Sequence, residues 1–422
     1  MPSCVKEKDH HWCNGITPHM AEDGELYCIF HLPKGSVAKG GPSFTERVYE
    51  KIRDAKTKGK ICNLSGTVFS DDISFGIFNK DNPLPEMDFR RAVFCGEADF
   101  REVVFDGSVK FEWATFEQDA YFNSAVFEKR ADFSCTVFGK GAYFLYGEFK
   151  DKADFREIAF EGEAIFIKKT FLNGADLTAT DTRERIVFDR VDLTKVSLLD
   201  CDLRKIDFIN CTFAKLDGNT RVLYDELVVR NKVSIDKEED EEPGEGESVV
   251  EKERDKIERV EILYRRLKQK YLDERDYGQA SEWHLREKKM WKKRTTLKNL
   301  REVFPFILLR LYDVSSEYGE NPVRALGVLV LLILSAIWLL SICGMSSIDI
   351  HGSANQIKWP NNIDWKKVGQ LFLSVFQYLT FQKDVSLRPI GLWGEWVKLL
   401  AQISISLQTA LLGLAIRNRF RR

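Results

Sequence analysis

The chain has 422 residues, with 63 Lys plus Arg against 65 Asp plus Glu and a formal charge of -2. At ~150 residues per domain there is room for two to four domains. The near-neutral balance excludes a dedicated basic nucleic-acid binder, and 44% hydrophobic content excludes a wholly disordered acidic chain.

The first residues, MPSCVKEKDHHWC, hold no apolar run of the secretory type. Nine cysteines, odd in number and irregular beyond residue 31, do not make a disulfide framework, so a reducing compartment is expected. Within the first 40 residues, Cys4, Cys13, Cys28 and His31 give C-x8-C-x14-C-x2-H. Thiolates and imidazole at this count suit tetrahedral zinc, and so short a segment needs a staple. Four ligands close the shell, so the role is structural. His10, His11 and His19 are competing ligands, and the competing view is a frayed tail with stray Cys and His. Residues 43–58 read as a helix, with Ser43 as N-cap and Phe44, Val48 and Ile52 on one face, covering the open end of the repeat region that begins at residue 61.

From Phe89 to Phe171 the phenylalanines alternate steps of five and six without a break, a period of 11 that takes 16 of the chain's 30 Phe. After Leu177 the step becomes a plain five, through Phe188, Leu193, Leu198, Leu203, Phe208 and Phe213. An earlier fragment (Leu64, Phe69, Phe75) is interrupted by GIFNKDNPLPEM, read as a loop. Five residues at ~100° each leave a common helix face, and an odd step breaks a period-2 strand, so the pattern is that of a solenoid with recurring corners. Ala98, Ala120, Ala131, Ala142, Ala153 and Ala164 precede their Phe by two, and Ala175 precedes Leu177, all sharing the inward side; Cys62, Cys201 and Cys211 stand in the same place. The tandem VDLTK, VSLLD, CDLRK, IDFIN, CTFAK resembles the pentapeptide-repeat family, whose unit is A(D/N)LXX. The resemblance implies a right-handed, four-sided parallel β-helix, here roughly seven coils over residues 61–217. Aspartates such as Asp99, Asp132 and Asp154 read as solvated or backbone-bonded, and no P-loop, HExxH or GxSxG is present, so no enzyme is expected.

Residues 236–247 hold eight acids against one Lys, with Pro and two Gly: an acidic linker, assigned to 218–250. Residues 251–312 read as a helical hairpin broken near 273–278, with Leu263, Leu267 and Tyr271 facing Ala280, Trp283 and Met290. The hairpin is similar to that of membrane-bound pentapeptide-repeat proteins. Residues 286–301, eight basic and one acidic, form a collar with Trp291 at a cytoplasmic membrane surface.

Residues 325–348 are uncharged over 24 positions and residues 399–416 over 18, enough for two membrane spans. Arg417, Arg419, Arg421 and Arg422 place the second end inside, as the collar does for the first. Residues 368–382 are too short to cross, at ~22 Å as a helix, and read as a re-entrant or surface helix. Span, short helix, span is similar to the two-span potassium-type channels, and FLSVFQYLTF resembles their pore-helix text. Where that family carries Thr-x-Gly-Tyr-Gly, this chain has Thr380, Phe381, Gln382, Lys383 and Asp384, so potassium selectivity is not expected. In the tetramer that the resemblance implies, Lys383 either rings the pore with positive charge or pairs with Asp384 or water. Gln402, Ser406, Thr409 and Gly413 share one face of the second span, beside Ser404 and Gln408, as pore lining or as hydrogen-bond glue.

The fold class expected is thus multidomain: the β-helix, then the hairpin, then an all-α two-span membrane domain at 313–422. The function expected is a homo-oligomeric, channel-like protein of a prokaryotic plasma membrane, both termini cytoplasmic. Its partners are lipid, ions, further copies and a protein docked on the β-helix, with no nucleic acid. The alternatives are a membrane-anchored scaffold without conduction and an acidic rod acting as a DNA mimic, which the mixed charge of this rod disfavours.

Overall fold

The computed structural model describes residues 4–36 apart from 14, 15, 17 and 22; 42–230 apart from 169 and 170; 249–294; 307; 310–343; 345–348; 354–357; 369; 372–373; 387–389; and 391–420. It forms two compact units, Met1–Lys270 and Tyr271–Arg422.

The first unit is built on a parallel β-solenoid of about seven turns. Strands of two to four residues stack into four walls of seven, six, seven and three strands. Val109 pairs with Ala131 and Ala131 with Ala153, so one turn takes 131 − 109 = 22 residues, two of the 11-residue repeats. Each wall presents a small residue and, two positions later, a Phe to the interior. Phe75, Phe100, Phe122, Phe144 and Phe166 lie one above another at centroid separations of 4.6, 4.9, 4.9 and 4.6 Å. Neighbouring ladders meet edge-on, as Phe122 does with Phe133 at 5.5 Å. Offset stacking along the axis and edge contacts across it satisfy the ring quadrupoles in both directions. Burying each ring adds about 2–3 kcal/mol.

From the second turn on, two corners of each turn hold a non-glycine residue in the left-handed region. One corner stacks Arg91, Trp113, Cys135, Glu157, Ala179 and Asp200, and the other Glu102, Ser124, Tyr146, Lys168, Arg190 and Asn210. This backbone costs about 1–2 kcal/mol per L-residue. The opposing gain is coil-to-coil hydrogen bonding: Trp113 N donates to Ser134 O, Cys135 N to Arg156 O and Glu157 N to Thr178 O.

The interruption after Phe75 is not excluded from the core, as the loop reading implied. Phe78 and Leu84 are buried, and Leu84 bridges to Phe105 as the first rung of the fourth wall. The insertion lengthens that turn from Cys62 to Met87, 87 − 62 = 25 residues.

Helix α1 (Pro42–Thr57) covers the first turn through Phe44, Val48 and Ile52, all buried, as expected. The helix starts at Pro42, so Ser43 lies inside it and is not its N-cap; proline suits the first position because its missing N–H is an orphan there anyway. At the far end, residues 220–229, read from sequence as linker, form a hairpin strand (Thr220–Val222) and α2 (Tyr224–Val229). Helix α3 (Val249–Asp273) lies across this end: Tyr264 Oη accepts from Leu223 N at 3.0 Å and donates to Glu226 at 2.6 Å, Arg259 pairs with Asp200, and Lys270 reaches Asp207 at 2.7 Å. The acidic run 236–247 lies outside the described residues.

In the second unit α4 (Tyr277–Arg294) begins after a break at 274–276, where the sequence placed one. Residues 310–316 are helical and an elbow follows. Then come α5 (Pro322–Cys343) and α6 (Gly391–Phe420), which pack together. Residues 345–348, read as the end of the first span, instead form a strand, paired with 354–357 and 387–389 in an antiparallel sheet that the all-α expectation did not contain. Two helices, Pro322–Leu340 and Gly391–Phe420, are long and apolar enough to cross a membrane.

Candidate functional site

The four sulfur and nitrogen donors expected at the N-terminus converge. Cys4, Cys13, Cys28 and His31 bring one ligand atom each to within 4.8 Å of one another, and all four are buried, at 4, 1, 0 and 4% exposure. Their placement follows from local turns. Cys4 precedes a short 3-10 turn (Val5–Lys8), Cys13 closes another (His11–Cys13), and Cys28 ends the hairpin Pro18–Met20/Leu26–Cys28. The chain turns at once after Cys28, His31 N donating to Cys28 O at 2.9 Å, so the x2 spacing aims both side chains at one point.

His31 Nδ1 lies 3.2 Å from Cys28 Sγ and 3.7 Å from Cys4 Sγ. A tetrahedral zinc, at ~2.3 Å from sulfur and ~2.0 Å from nitrogen, spaces its ligands about 3.5–3.8 Å apart; the separations at His31 match this spacing, and donors up to 4.8 Å apart would close by about 1 Å around such an ion. The tautomer also fits. His31 Nε2 is 3.3 Å from Ser65 O, which only accepts, so Nε2 carries the proton and Nδ1 keeps its lone pair for a metal. Burial pushes the Cys13 and Cys28 thiols up, and the neighbouring thiols push them further. A dication at the centre reverses that balance by favouring thiolate.

Among the described residues the other histidines do not join the cluster. His10 stacks on the His31 ring at 4.9 Å and its Nδ1 sits 3.2 Å from Ser65 Oγ; His11 is exposed, and His19 lies on the hairpin.

The knuckle is seated on the first solenoid turn by residues that no sequence motif marks. Trp12 Nε1 donates to Ser65 Oγ and O at 3.0 and 3.2 Å, and Val68 N donates to Phe30 O at 2.9 Å. Gly66 has φ +68°, and a Cβ there would fall 2.2 Å from His10 Nε2. From α1, Lys51 places its ammonium 3.6 Å from the Trp12 ring centroid and 5.2 Å from that of Phe30. Burial pulls that ammonium down to about 8, against the pull of the Cys62, Cys28 and Cys13 sulfurs. The only local cue to this seat is the Ser65-Gly66 dipeptide, which marks a turn.

Along the rod the aspartates act on the backbone. Asp99, Asp132 and Asp154 each accept from the N–H two residues on, at 3.0, 3.0 and 3.2 Å, and Arg101 and Arg156 fold back onto Asp99 and Asp154. Cys201 Sγ donates to Leu177 O at 2.9 Å and Cys62 is buried, both as core residues.

In the second unit the polar residues of α6 separate onto two sides. Gln408 is buried, and its Nε2 donates to Ala325 O at 2.8 Å and to Ser315 O at 3.1 Å. Asn418 Nδ2 reaches Gly319 O at 3.1 Å. Ser406, Thr409 and Gly413 are exposed on another side, and Gln402 above them is half-buried. Thr409 Oγ1 donates to its own helix, at Ile405 O. The filter-equivalent residues Thr380, Phe381, Gln382, Lys383 and Asp384 lie outside the described residues. Of the short helix expected at 368–382, only residues 369, 372 and 373 are described, as helical.

The repeat geometry agrees with comparison to known proteins: residues 89–137 match the family model of pentapeptide repeats (nine copies). No curated protein and no solved structure matches the chain.

Proposed function

We propose that the chain is a two-span membrane protein that assembles through α6 into a channel-like oligomer. The solenoid is its docking or sensing module outside the bilayer, and a structural zinc holds the N-terminal knuckle on that module. The observation that carries the reading is the exposed side of α6 that holds Ser406, Thr409 and Gly413, apart from the side on which Gln408 meets α5. Polar and small residues in a span face protein or water rather than lipid. Among the described residues this side is left open, while Gln408 already serves the contact with α5. The remaining surface suits lipid: Val330, Leu331, Leu334 and Trp338 on α5 and Leu400, Ile403 and Leu407 on α6 are exposed.

The test is purification in detergent, determination of subunit number, and ion flux from liposomes for wild type, Thr409→Leu and Lys383→Ala. Flux that both changes alter supports a conducting oligomer. A monomer without flux for any ion sinks it. An oligomer without flux favours the second reading, an anchored scaffold whose solenoid binds a protein partner; the rod's intact, mixed-charge surface favours that use.

A further inference from the structure

A Cys3His centre around a dication carries three thiolates against two positive charges, a net charge of -1 inside a site whose donors are nearly inaccessible to water. A buried net charge is costly unless a counter-charge lies close. We propose that Lys51 is that counter-charge: a positioning residue that α1 holds over the Trp12 face to neutralise the metal knuckle. This rests on the metal reading above.

The placement is specific. Trp12 touches both partners, its ring centroid 3.6 Å from the Lys51 ammonium and 5.1 Å from that of the His31 ring. The sulfurs that act on Lys51 are those of Cys62, Cys28 and Cys13. Cys62 stays a neutral thiol, since burial pushes it up to about 12, and Asp54, which also pulls on Lys51, is engaged by Lys58 at 2.7 Å; the thiolates of Cys28 and Cys13 supply the rest of the negative charge that Lys51 meets. The indole and the Phe30 ring attract the ammonium as well, but they do not require it: an apolar stem fills the same space. The arrangement also explains why a cation sits on the otherwise apolar face of the capping helix, between Val48 and Ile52, which are fully buried. Helix, knuckle and first turn are thereby joined by one charge as well as by packing.

The experiment is a metal titration of the full chain in detergent, with Co2+ followed by its d–d absorption and Zn2+ by competition with a chromophoric chelator. Wild type, Lys51→Met and Lys51→Arg are compared. Lys51→Met keeps the stem and removes the charge. It is expected to weaken both metals about 10-fold or more, in the range of losses seen for outer-shell partners, with the Co2+ band shape unchanged because the ligands are untouched. Lys51→Arg is expected to stay within about threefold of wild type. Lys51→Met binding within twofold of wild type, an altered Co2+ band, or equal loss in Lys51→Arg would each overturn the counter-charge role, the last because it indicates packing instead. A wild-type chain that takes up neither metal removes the metal reading itself, a different result from any of these.

Discussion

Gly66 and Asp200 are the two ends of a single left-handed corner that runs the length of the solenoid, with φ +68° at the first and +63° at the last. Both ends are gripped. His10 of the knuckle fills the space beside Gly66, and α3 binds Asp200 through Arg259 and its carbonyl through Arg266 Nη1 at 3.1 Å. Between them the corner accepts Arg, Trp, Cys, Glu and Ala, because those side chains point outward. Only at Gly66 must a second segment occupy the place of a Cβ.

Gly66→Ala therefore carries a double cost: about 1–2 kcal/mol of left-handed backbone and a clash with His10. The solenoid keeps its other turns, so the loss is local. Hydrogen exchange at residues 4–36 is expected to speed up by at least tenfold while residues 109–160 remain protected. Unchanged exchange at 4–36 would show that the knuckle does not depend on this seat.

At Trp113 the same corner carries a bulky side chain that is 60% exposed at φ +60°. The indole contributes little burial, and the backbone strain stays. Asparagine tolerates this region and loses less freedom on folding than glycine does. Trp113→Asn is expected to raise stability by about 0.5–1 kcal/mol in urea unfolding followed by circular dichroism. A destabilised variant would mean that the ring packs more than its exposure indicates.

How much of this is legible in the sequence depends on whether the signal is carried by residue type. The Phe ladder is, since a wall of stacked rings needs the same residue at a fixed covalent step. So is the convergence of Cys4, Cys13, Cys28 and His31, since Cys and His at C-x2-H spacing are recognisable by residue type. The corners are not: Arg91, Trp113, Glu157 and Ala179 share no chemistry, and their backbone is imposed by hydrogen bonds to the next turn. Phe78 and Leu84 are hidden by the insertion that shifts their spacing. The Ser65–Gly66 seat is hidden because it is defined only by a segment 55 residues earlier in the chain. On α6, helical periodicity finds the polar residues but not that Gln408 turns toward α5.

The C-terminal closure of the solenoid is predicted to weaken as pH rises through mild acidity. Asp225 is buried, accepts from Ser197 Oγ at 2.7 Å and Leu198 N at 3.1 Å, and burial lifts its carboxyl to about 6 from 3.8. An acid raised in this way binds its proton more tightly folded than unfolded. It adds stability that is complete below about 4 and gone above about 6. The two-unit shift corresponds to about 3 kcal/mol at most. Carboxylates such as Asp99 and Asp202, held down by Arg101 and Arg204, act in the opposite sense at lower pH, so the comparison is made against a variant. The stability difference between wild type and Asp225→Asn should fall from pH 4 to pH 6.5 and then level off. A difference that is flat over this window would exclude Asp225 as the source.

Gln408 joins the elbow to both long helices, and its role is set by the groups it satisfies. Its Nε2 donates to the carbonyls of Ala325, in the first turn of α5, and Ser315, at the end of the preceding helix. Ser315 O stands just before the turn in which Glu317, Tyr318 and Gly319 all adopt positive φ, so it belongs to the last carbonyls of a helix, which the regular ladder does not serve. At Gly319 that turn is closed so tightly that a Cβ would meet Tyr312 Oη at 2.6 Å. Leucine at 408 matches the volume and removes both bonds at once. Interhelical hydrogen bonds of this kind contribute about 0.6 kcal/mol on average and up to about 1.7 in lipid-like surroundings. With two acceptors served, Gln408→Leu should cost near the upper value in SDS-driven unfolding from mixed micelles, whereas Thr409→Val, whose hydroxyl returns to Ile405 O of its own helix, should cost under about 0.5 kcal/mol. Equal losses at the two positions would show that the helix pair is held by its apolar contacts and that the Gln408 bonds are incidental to it.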